Sequence, residues 1–533
     1  MLSLFWTSRA GPVISPDSIV YLSAARSLAR TGTLKAPSML EWEIPADTIP
    51  YAGFPPGYPA LIAVPLALEV SPIKSARIVQ AVSAFITVSV AVLLAATFGG
   101  PAIGILAAAM ILLTPAFVTS HMAVLSEPAF FAAFLLTLMA MVCFPGRPIL
   151  AGMASGAALA LRFAGVGATL AGVVWTVCRP GTWSERLRRA SIASAPSAIV
   201  LAAWAVRTRI VSGRAHGGES DFIGDPFPML LAGGLGRSSW KGFGFTLWDG
   251  VDAVFDWLIP LVSVYLTDWR YRAVILAFVL VTIAGMFFQV YHRHNEPARG
   301  RLVSEEQRSQ FWIACGVMAG SYLLVILLAR IFADPWLTFE ARILSPVMLI
   351  GVLVFVTILG AWWPRRAVLL RGTVAAGIGI WFLLAIGLNA RVVPRALRDG
   401  VDASGNASKR SPTVLWTREN GKSRAVFTND PASILWNTEA DARVLPLRVG
   451  ASWRDPYPQP LDTSVAITFG DTLVRRNGVI VAFDENNAYM MSPDSLARLL
   501  ALRQIARFSD GTVWAPGAET VRVLERLRGM RMR

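Results

Sequence analysis

Long apolar runs are the feature that most constrains how this chain can fold. A helix needs about 20 consecutive apolar residues to cross the hydrocarbon core of a bilayer. Runs of this length, or slightly shorter, fall at 78–97, 102–120, 128–144, 149–162, 164–178, 191–206, 271–291, 311–331, 343–361 and 367–389. Charged residues make up only 16% of the chain, whereas a soluble domain carries about 25%. The sequence therefore predicts a polytopic α-helical membrane protein with about ten spans.

The positive charges indicate how the spans are oriented. The formal net charge is +15, and many of the arginines lie in short segments between apolar runs. The positive-inside rule places such segments in the cytoplasm, so this charge does not indicate a nucleic-acid partner. Threading about ten spans puts 145–148, 179–190, 292–310 and 361–372 on that side. We expect a multi-pass protein of the cytoplasmic (inner) membrane.

The same threading predicts three regions. Residues 1–77 form a first extracytoplasmic loop with interfacial helices, residues 78–390 a transmembrane helical domain, and residues 391–533 an extracytoplasmic C-terminal domain. The chain opens on Met1 to Trp6, a stretch that is typical of the last turns of a helix and too short to span. We therefore expect that a first helix is missing from this chain.

The tail changes character and predicts a small α/β domain. Short apolar runs at 424–430 and 478–484 alternate with turn residues, which is typical of strands. Residues 492–508 have helical spacing, with Ser492 as a cap and Pro493 in the first turn. Residues 400–413 are predicted to be a linker.

A carboxylate precedes the first run. Ser15 suits an N-cap and Pro16 the first helical position, which puts Asp17 in the first turn. The helix dipole favours an ionised carboxylate there, so we expect a short interfacial helix that carries Asp17 at its start. The alternative is an ordinary helix-start aspartate without a role in a site.

Other polar residues lie near the ends of the predicted spans, and each has a structural alternative. Residues 51–59 read as a stiff aromatic turn at the headgroup level. Glu127 either begins a span as a cap or contributes to a site. Arg342 either binds a phosphate through its planar fork or snorkels. Arg162 interrupts an apolar stretch, where a cation normally needs a partner, and Arg207 suits an interface anchor.

Taken in order, these segments resemble the C-type membrane glycosyltransferases (GT-C), in the branch that includes the protein O-mannosyltransferases and the lipid A aminoarabinose transferase. The resemblance covers roughly the first 390 residues. Its pieces are Asp17 ahead of Tyr21, Ala25-Arg26 and Gly32; Phe54-Pro55-Pro56-Gly57-Tyr58-Pro59; Leu125-Ser126-Glu127-Pro128; Leu161-Arg162-Phe163-Ala164-Gly165; Trp204-Ala205-Val206-Arg207; and Arg342-Ile343-Leu344-Ser345-Pro346.

The resemblance implies an activity. A sugar would pass from a polyprenyl-phosphate donor to an acceptor hydroxyl on the outer face of the membrane, with inversion at the anomeric carbon. Asp17 would be the general base. Arg342 would bind the donor phosphate with help from Arg207 and Lys241. The substrate contacts implied are Tyr21, Tyr58, Glu127 and Glu340. The acceptor stays open between a lipid, a glycan and a protein, and membrane lipids surround the spans.

The chain departs from the family at one point. Many relatives carry two acidic residues in the first loop, whereas Ser18 follows Asp17 here. Glu41, Glu43 and Asp47 are the other candidates for a second carboxylate. We expect no cofactor and no metal; a divalent metal is the alternative, which no residue pattern supports. The rival functions are a membrane transporter or lipid flippase, which the absence of an internal repeat disfavours, and a non-enzymatic scaffold.

Overall fold

The computed structural model describes residues 11–39, 48–212, 303–332, 341–363, 368–446, 463–484 and 490–531. The chain forms two compact units. The first, here called the helical unit, comprises Met1–Leu2, Ala52–Leu61 and Ala76–Pro394. The second, here called the sheet unit, comprises Ser3–Tyr51, Ile62–Ser75 and Arg395–Arg533. Residues from the two ends of the sequence therefore share one unit.

Helices dominate the described residues. In chain order they are α1 Pro16–Thr31, α2 Gly57–Ala67, α3 Pro72–Gly99, α4 Pro101–Leu113, α5 Pro115–Met122, α6 Glu127–Cys143, α7 Pro148–Leu161, α8 Val166–Val177, α9 Trp183–Ser212, α10 Glu305–Phe332, α11 Ala341–Trp362, α12 Val368–Asp399, α13 Asn406–Arg410, α14 Pro412–Asn420, α15 Pro431–Asn437, α16 Thr463–Arg475, α17 Pro493–Leu499 and α18 Ala518–Arg531. The strands are β1 Lys35–Pro37, β2 Thr48–Pro50, β3 Ala425–Thr428, β4 Asp441–Val444, β5 Val479–Phe483, β6 Arg503–Arg507 and β7 Gly511–Ala515.

The helical unit confirms the prediction of a polytopic membrane protein. Within the described ranges, five helices are long and apolar enough to cross a bilayer, namely α3, α9, α10, α11 and α12. Helices α4 and α5 form a sixth candidate span that is bent by 61°. Helices α6, α7 and α8 are apolar but shorter. Each predicted run within the described residues coincides with a helix, apart from 102–120, which is divided between α4 and α5. The run 271–291 lies outside the described residues.

Glycines allow the short helices to pack closely. Helix α7 packs against α6, α8 and α9. A Cβ atom on Gly152 of α7 would lie 2.6 Å from the carbonyl oxygen of Ala193 in α9, so a larger residue there would push these two helices apart. Arg162 ends α7, and a 3₁₀ turn at Phe163–Gly165 leads into α8. A Cβ atom on Gly165 would overlap the backbone nitrogen of Leu159. The α7–α8 junction is therefore tight.

The sheet unit confirms the predicted α/β tail. Its five-stranded sheet has the order β4-β3-β5-β7-β6. Strand β3 is parallel to both β4 and β5, and β7 is antiparallel to β5 and β6. Successive strand residues face opposite sides: Phe427 packs with Phe469 of α16, while the neighbouring Val426 packs with Ile434 of α15. Helices thus cover both faces of the sheet.

Three tail and loop predictions need correction. The helix predicted over 492–508 ends at Leu499, and β6 begins at Arg503. Ala501 has φ +48°, which breaks the helix, and pairing with β7 overrides the helical spacing. The predicted linker 400–413 contains α13 and the start of α14, whose cap is Ser411. The turn predicted at 51–59 gives way to α2 at Gly57.

The start of the described chain folds with the tail. Ser15 caps α1 through a reciprocal pair of hydrogen bonds with Ser18, and Pro16 occupies the first turn, as predicted. Ile14 forms a parallel bridge with Asp402. Strands β1 and β2 pair as an antiparallel hairpin after the helix. The helix that carries Asp17 is therefore anchored to residues that follow the last span.

We expect Gly165→Ala to destabilise the protein, since the new methyl group has no space at the α7–α8 junction. Overpacking of this kind costs about 1–3 kcal/mol. Gly172→Ala in α8 is the matched control, because no heavy atom lies within 4 Å of its Cβ position and alanine is the better helix former. Thermal unfolding in detergent measures both. An equal melting temperature for the two variants would contradict the close packing.

We expect Asp402→Asn to raise the melting temperature at pH 7. Burial, and then the negative charge of Asp430, raise the pKa of the Asp402 carboxyl. Such a carboxyl destabilises the folded state once it ionises, so stability falls as the pH rises from its unfolded-state pKa of about 3.9 through the raised value. Asparagine also tolerates the φ of +53° at this position.

The gain from Asp402→Asn should shrink to nothing below about pH 3, where both states are protonated. Asp399→Asn is the control, because the Asp399 carboxylate contacts Arg398 rather than another acid. A gain for Asp402→Asn that is independent of pH would show that the charge of Asp402 is not its cause.

Candidate functional site

A buried carboxylate lies at the centre of the candidate site. Glu127 is the first residue of α6, and its side chain is only 2% exposed. A charged group in such a place needs a partner because desolvation penalises the ionised form. Oε1 of Glu127 lies 2.7 Å from a terminal nitrogen of Arg162 and 3.2 Å from Nε of Arg342. Arg162 also donates to the hydroxyl of Ser126 at 3.2 Å.

The three charged residues come from distant parts of the chain. Glu127 begins α6, Arg162 lies in extended backbone at the end of α7, and Arg342 lies in the first turn of α11. Each is at the end of an apolar helix, where the backbone still has unpaired groups and the side chain can reach a polar environment. We call Glu127, Arg162 and Arg342 the charge cluster.

A buried glutamine holds the turn that precedes Glu127. Nε2 of Gln80, in α3, lies 2.7 Å from the carbonyl oxygen of Ala123 and 3.0 Å from that of Leu125. The same nitrogen donates to the hydroxyl of Tyr58 at 2.8 Å. Tyr58 is fully buried. These contacts tie α2, α3 and the turn together and so fix where α6 starts.

The neighbouring glycine brings α2 to the end of α7. A Cβ atom on Gly57 would lie 2.5 Å from the carbonyl oxygen of Ala160, two residues before Arg162. Only a glycine allows this approach. The segment Phe54 to Pro59 therefore meets the chain at two points beside the charge cluster, through Gly57 and through Tyr58.

A buried tyrosine fixes the start of α11. The hydroxyl of Tyr322, in α10, donates to the carbonyl oxygen of Ile343 at 2.8 Å. Its ring packs against Phe130 and Phe134 of α6, at centroid distances of 6.1 and 5.5 Å. Helices α6, α10 and α11 are thus held together next to Arg342.

The charge cluster has a net positive charge. One carboxylate faces two guanidinium groups, and arginine stays protonated in proteins. The arginine side chains keep some exposure, 21% for Arg162 and 39% for Arg342, while Glu127 is buried. In the described part of the chain, neither Oε1 nor Oε2 of Glu127 receives a hydrogen bond, so its contacts with the two arginines are ion pairs. A partly exposed guanidinium that is oriented by a buried carboxylate suits the binding of a phosphate or another anion.

The structure gathers some of the predicted site residues and assigns others to the second unit. Glu127 and Arg342 are in direct contact, and Tyr58 lies one glutamine away. Arg207, in α9, places its guanidinium over the ring of Trp204 at 4.7 Å. Asp17 and Tyr21 belong to α1 of the sheet unit, where Tyr21 is buried. Lys241 and Glu340 lie outside the described residues.

Several residues that hold this site together, Arg162, Gln80 and Tyr322 among them, were not among the predicted site residues. The sequence offered a signal for Arg162, because a lone cation in an apolar stretch needs a partner, and in the structure Glu127 is that partner. Gln80 offered no such signal, since a single amide in a span is compatible with many roles. Across the described residues, no group of three or more His, Cys, Asp or Glu side chains lies close enough to hold a metal ion.

Comparison with known proteins gives matches among solved structures. The crystal structure of apo ArnT from Cupriavidus metallidurans is 13% identical, with coverage of 97% of this chain and 96% of that chain and a TM-score of 0.43. The archaeal oligosaccharyltransferase AglB from Archaeoglobus fulgidus, in complex with an inhibitory peptide and a dolichol-phosphate, is 13% identical, with coverage of 90% and 66% and a TM-score of 0.48. No protein-family model and no curated protein matches the chain.

Both of these structures are of GT-C superfamily members, the family that the sequence motifs resemble. Their identities of 13% and TM-scores below 0.5 carry no argument about what this chain does.

We expect Arg162→Met to destabilise the helical unit, because it leaves the buried Glu127 with Arg342 as its remaining cation. Breaking a fully buried pair costs roughly 3–5 kcal/mol, and the partial exposure of Arg162 reduces this to about 2 kcal/mol. Chemical unfolding in detergent micelles measures the loss. Arg207→Met is the control, since a cation–π contact at a partly exposed site contributes only about 0.5–1 kcal/mol.

A double variant separates charge from packing. Glu127→Gln combined with Arg162→Met removes the stranded carboxylate, so it should be more stable than Arg162→Met alone. A double variant that loses the sum of the two single losses would contradict the coupling of Glu127 and Arg162.

Proposed function

We propose that this protein is a membrane glycosyltransferase that moves a sugar from a polyprenyl-phosphate donor to an acceptor hydroxyl. The observation that supports it most is the charge cluster. Three of the motif segments that resemble the GT-C family meet there, through Ser126 and Glu127, Arg162, and Arg342. A fourth, Phe54 to Pro59, lies beside the cluster through Gly57 and Tyr58. They are far apart in sequence and adjacent in the fold, as residues that share one site should be.

The donor phosphate is the proposed ligand of Arg342. A guanidinium presents a planar set of donors that matches phosphate oxygens. Arg342 is the more exposed arginine of the cluster, so a ligand can reach it. Glu127 orients this guanidinium, which reduces the entropy lost when a phosphate binds. Arg207 and Lys241 are proposed as further cations for the same phosphate.

Asp17 is the proposed general base. Its carboxylate would take the proton of the acceptor hydroxyl as the oxygen attacks the anomeric carbon. The bond from that carbon to the phosphate oxygen breaks, the polyprenyl phosphate leaves with the electron pair, and the configuration inverts. Base catalysis of this kind contributes about 10²- to 10⁴-fold, and Arg342 would stabilise the charge that grows on the leaving phosphate.

The remaining roles belong to the same proposal. Tyr21, Tyr58, Glu127 and Glu340 are proposed to contact or shape the substrate site. The protein is a multi-pass membrane protein. The arginine-rich segments support a cytoplasmic membrane with the site on its outer face. The acceptor remains a lipid, a glycan or a protein.

The test is transfer from labelled donors. Membranes that contain the full-length protein are incubated with radiolabelled polyprenyl-phosphate sugars and a cell-envelope extract as acceptor. We expect label to leave one of the donors. Asp17→Asn should lower the transfer rate by about 10²-fold or more with little change in donor binding. Arg342→Ala should weaken donor binding, because it removes charge-assisted hydrogen bonds to the phosphate.

A matched control exists for the aspartate. Ser492-Pro493-Asp494-Ser495 at the start of α17 repeats the sequence Ser15-Pro16-Asp17-Ser18 at the start of α1. Asp494→Asn therefore makes the same change in the same kind of helix start and should leave transfer intact.

The rival function has its own result in this assay. Movement of intact donor across a vesicle membrane, without transfer of its sugar, would favour a lipid flippase over a glycosyltransferase.

A further inference from the structure

The parallel part of the sheet has an edge at which α/β domains usually bind ligands. Strand β3 lies between β4 and β5, so the chain crosses over β3 on its way from β4 to β5. The carboxyl ends of β3 and β5 then flank a switch point, and ligands of open α/β sheets bind in the crevice at such a point. Asn429 joins the two ends by hydrogen bonds to both backbone groups of Phe483, at 2.9 and 2.8 Å.

In this protein the chain's own beginning lies along that edge. The backbone nitrogen of Val444, the last residue of β4, donates to the carbonyl oxygen of Met39 at 2.7 Å. Ile14 bridges to Asp402, and the negative charge of Asp430, just beyond the end of β3, helps to raise the pKa of the Asp402 carboxyl. Helix α1 packs against α15, which starts directly after β3. Met39, after α1, thus bonds to the carboxyl end of β4, and α1 itself packs against the helix that follows β3.

The residues just before α1 are held by the segment 402–404. The hydroxyl of Ser404 donates to the carbonyl oxygen of Pro12 at 2.6 Å, and the backbone nitrogen of Ala403 donates to the carbonyl oxygen of Ile14 at 3.3 Å. Ser404 is only 1% exposed. Water therefore has little access to its hydroxyl group.

Asn437 holds that segment in turn. It is the last residue of α15, and its Nδ2 lies 2.8 Å from the carbonyl oxygen of Ala403 and 2.9 Å from the hydroxyl of Ser408. A chain of hydrogen bonds therefore runs from the end of α15 through Ala403 to Ile14. Ser15 follows Ile14 and caps α1, and Asp17 lies two residues further on.

We propose that Ser404 and Asn437 are positioning residues, which hold the first turn of α1 and thereby set the position of Asp17. The carboxyl edge of the tail sheet would then hold the catalytic helix instead of a separate ligand. This inference rests on the proposed function of Asp17 as the base. Its physical reason is that misplacing a catalytic group by about 1 Å can cost about 10²-fold in rate.

The test combines backbone exchange with kinetics on the full-length protein in detergent. The variants are Ser404→Ala, Asn437→Ala and the two together. Amide hydrogen exchange over residues 12–31 should become about tenfold faster in the double variant, which is the effect expected from losing a buried hydrogen bond. Exchange over 479–483 and 511–515, in the middle of the sheet, should not change.

The kinetic measurements test whether the position of α1 affects the rate of sugar transfer. The double variant should lower kcat for transfer about tenfold or more, while the dissociation constant for the donor stays within a factor of two. Asn420→Ala is the matched control. Asn437 donates to the carbonyl oxygen of Ser433, four residues back, as well. Asn420 likewise ends a helix of the tail and donates to the carbonyl oxygen of Trp416, four residues back, but from an exposed site. It should change neither exchange over 12–31 nor kcat.

The outcomes separate this inference from the proposed function. Unchanged exchange over 12–31 in the double variant would show that Ser404 and Asn437 do not hold α1 in place. Faster exchange with unchanged kcat would overturn the positioning role. A wild-type protein that transfers no sugar would overturn the proposed function and, with it, the catalytic role of Ser404 and Asn437. The exchange data alone would still decide whether these two residues hold α1 in place.

Discussion

The helical unit depends on the ion pairs that the buried carboxylate of Glu127 forms with Arg162 and Arg342. An ionised group that is 2% exposed at the start of an apolar helix is tolerated only with charged partners close by. Two arginines meet this need, and they come from the end of α7 and the start of α11. A single carboxylate thus brings three helix ends together. Gln80 and Tyr322 are polar too, and both bond to backbone carbonyls next to these ends.

The second constraint is that the beginning and the end of the described chain fold as one unit. The segment that carries Asp17 precedes every predicted span, yet it is paired with Asp402 and Ser404, which follow the last one. Covalent order therefore says little about which residues share a unit. Deleting the tail would remove the partners of α1 as well, so loss of activity in such a truncation would not by itself show that the tail binds an acceptor.

Local features of the fold could be predicted from the sequence. The apolar runs place the helices because their lengths match a bilayer, and Ser15 and Ser492 mark helix starts because their hydroxyls satisfy backbone donors. The prediction of a helix over residues 503–507 was wrong, because these residues pair with β7 as a strand in spite of the helical spacing of their apolar residues. The ordered motifs identified Glu127 and Arg342 as candidate site residues, but they did not predict that the two side chains are in contact. Contacts between such distant segments depend on helix packing, which one sequence does not reveal.

The cluster geometry also decides which variant tests which property. Glu127 contacts both arginines, so any change of this carboxylate alters folding and the orientation of Arg342 at once. Arg162 is the less exposed arginine, and its hydrogen bond to Ser126 makes it chiefly a structural partner. Arg342 is almost twice as exposed, so its loss should affect stability least and anion binding most. Variants of Arg342 are therefore the ones in which a change in donor binding reports on the site itself.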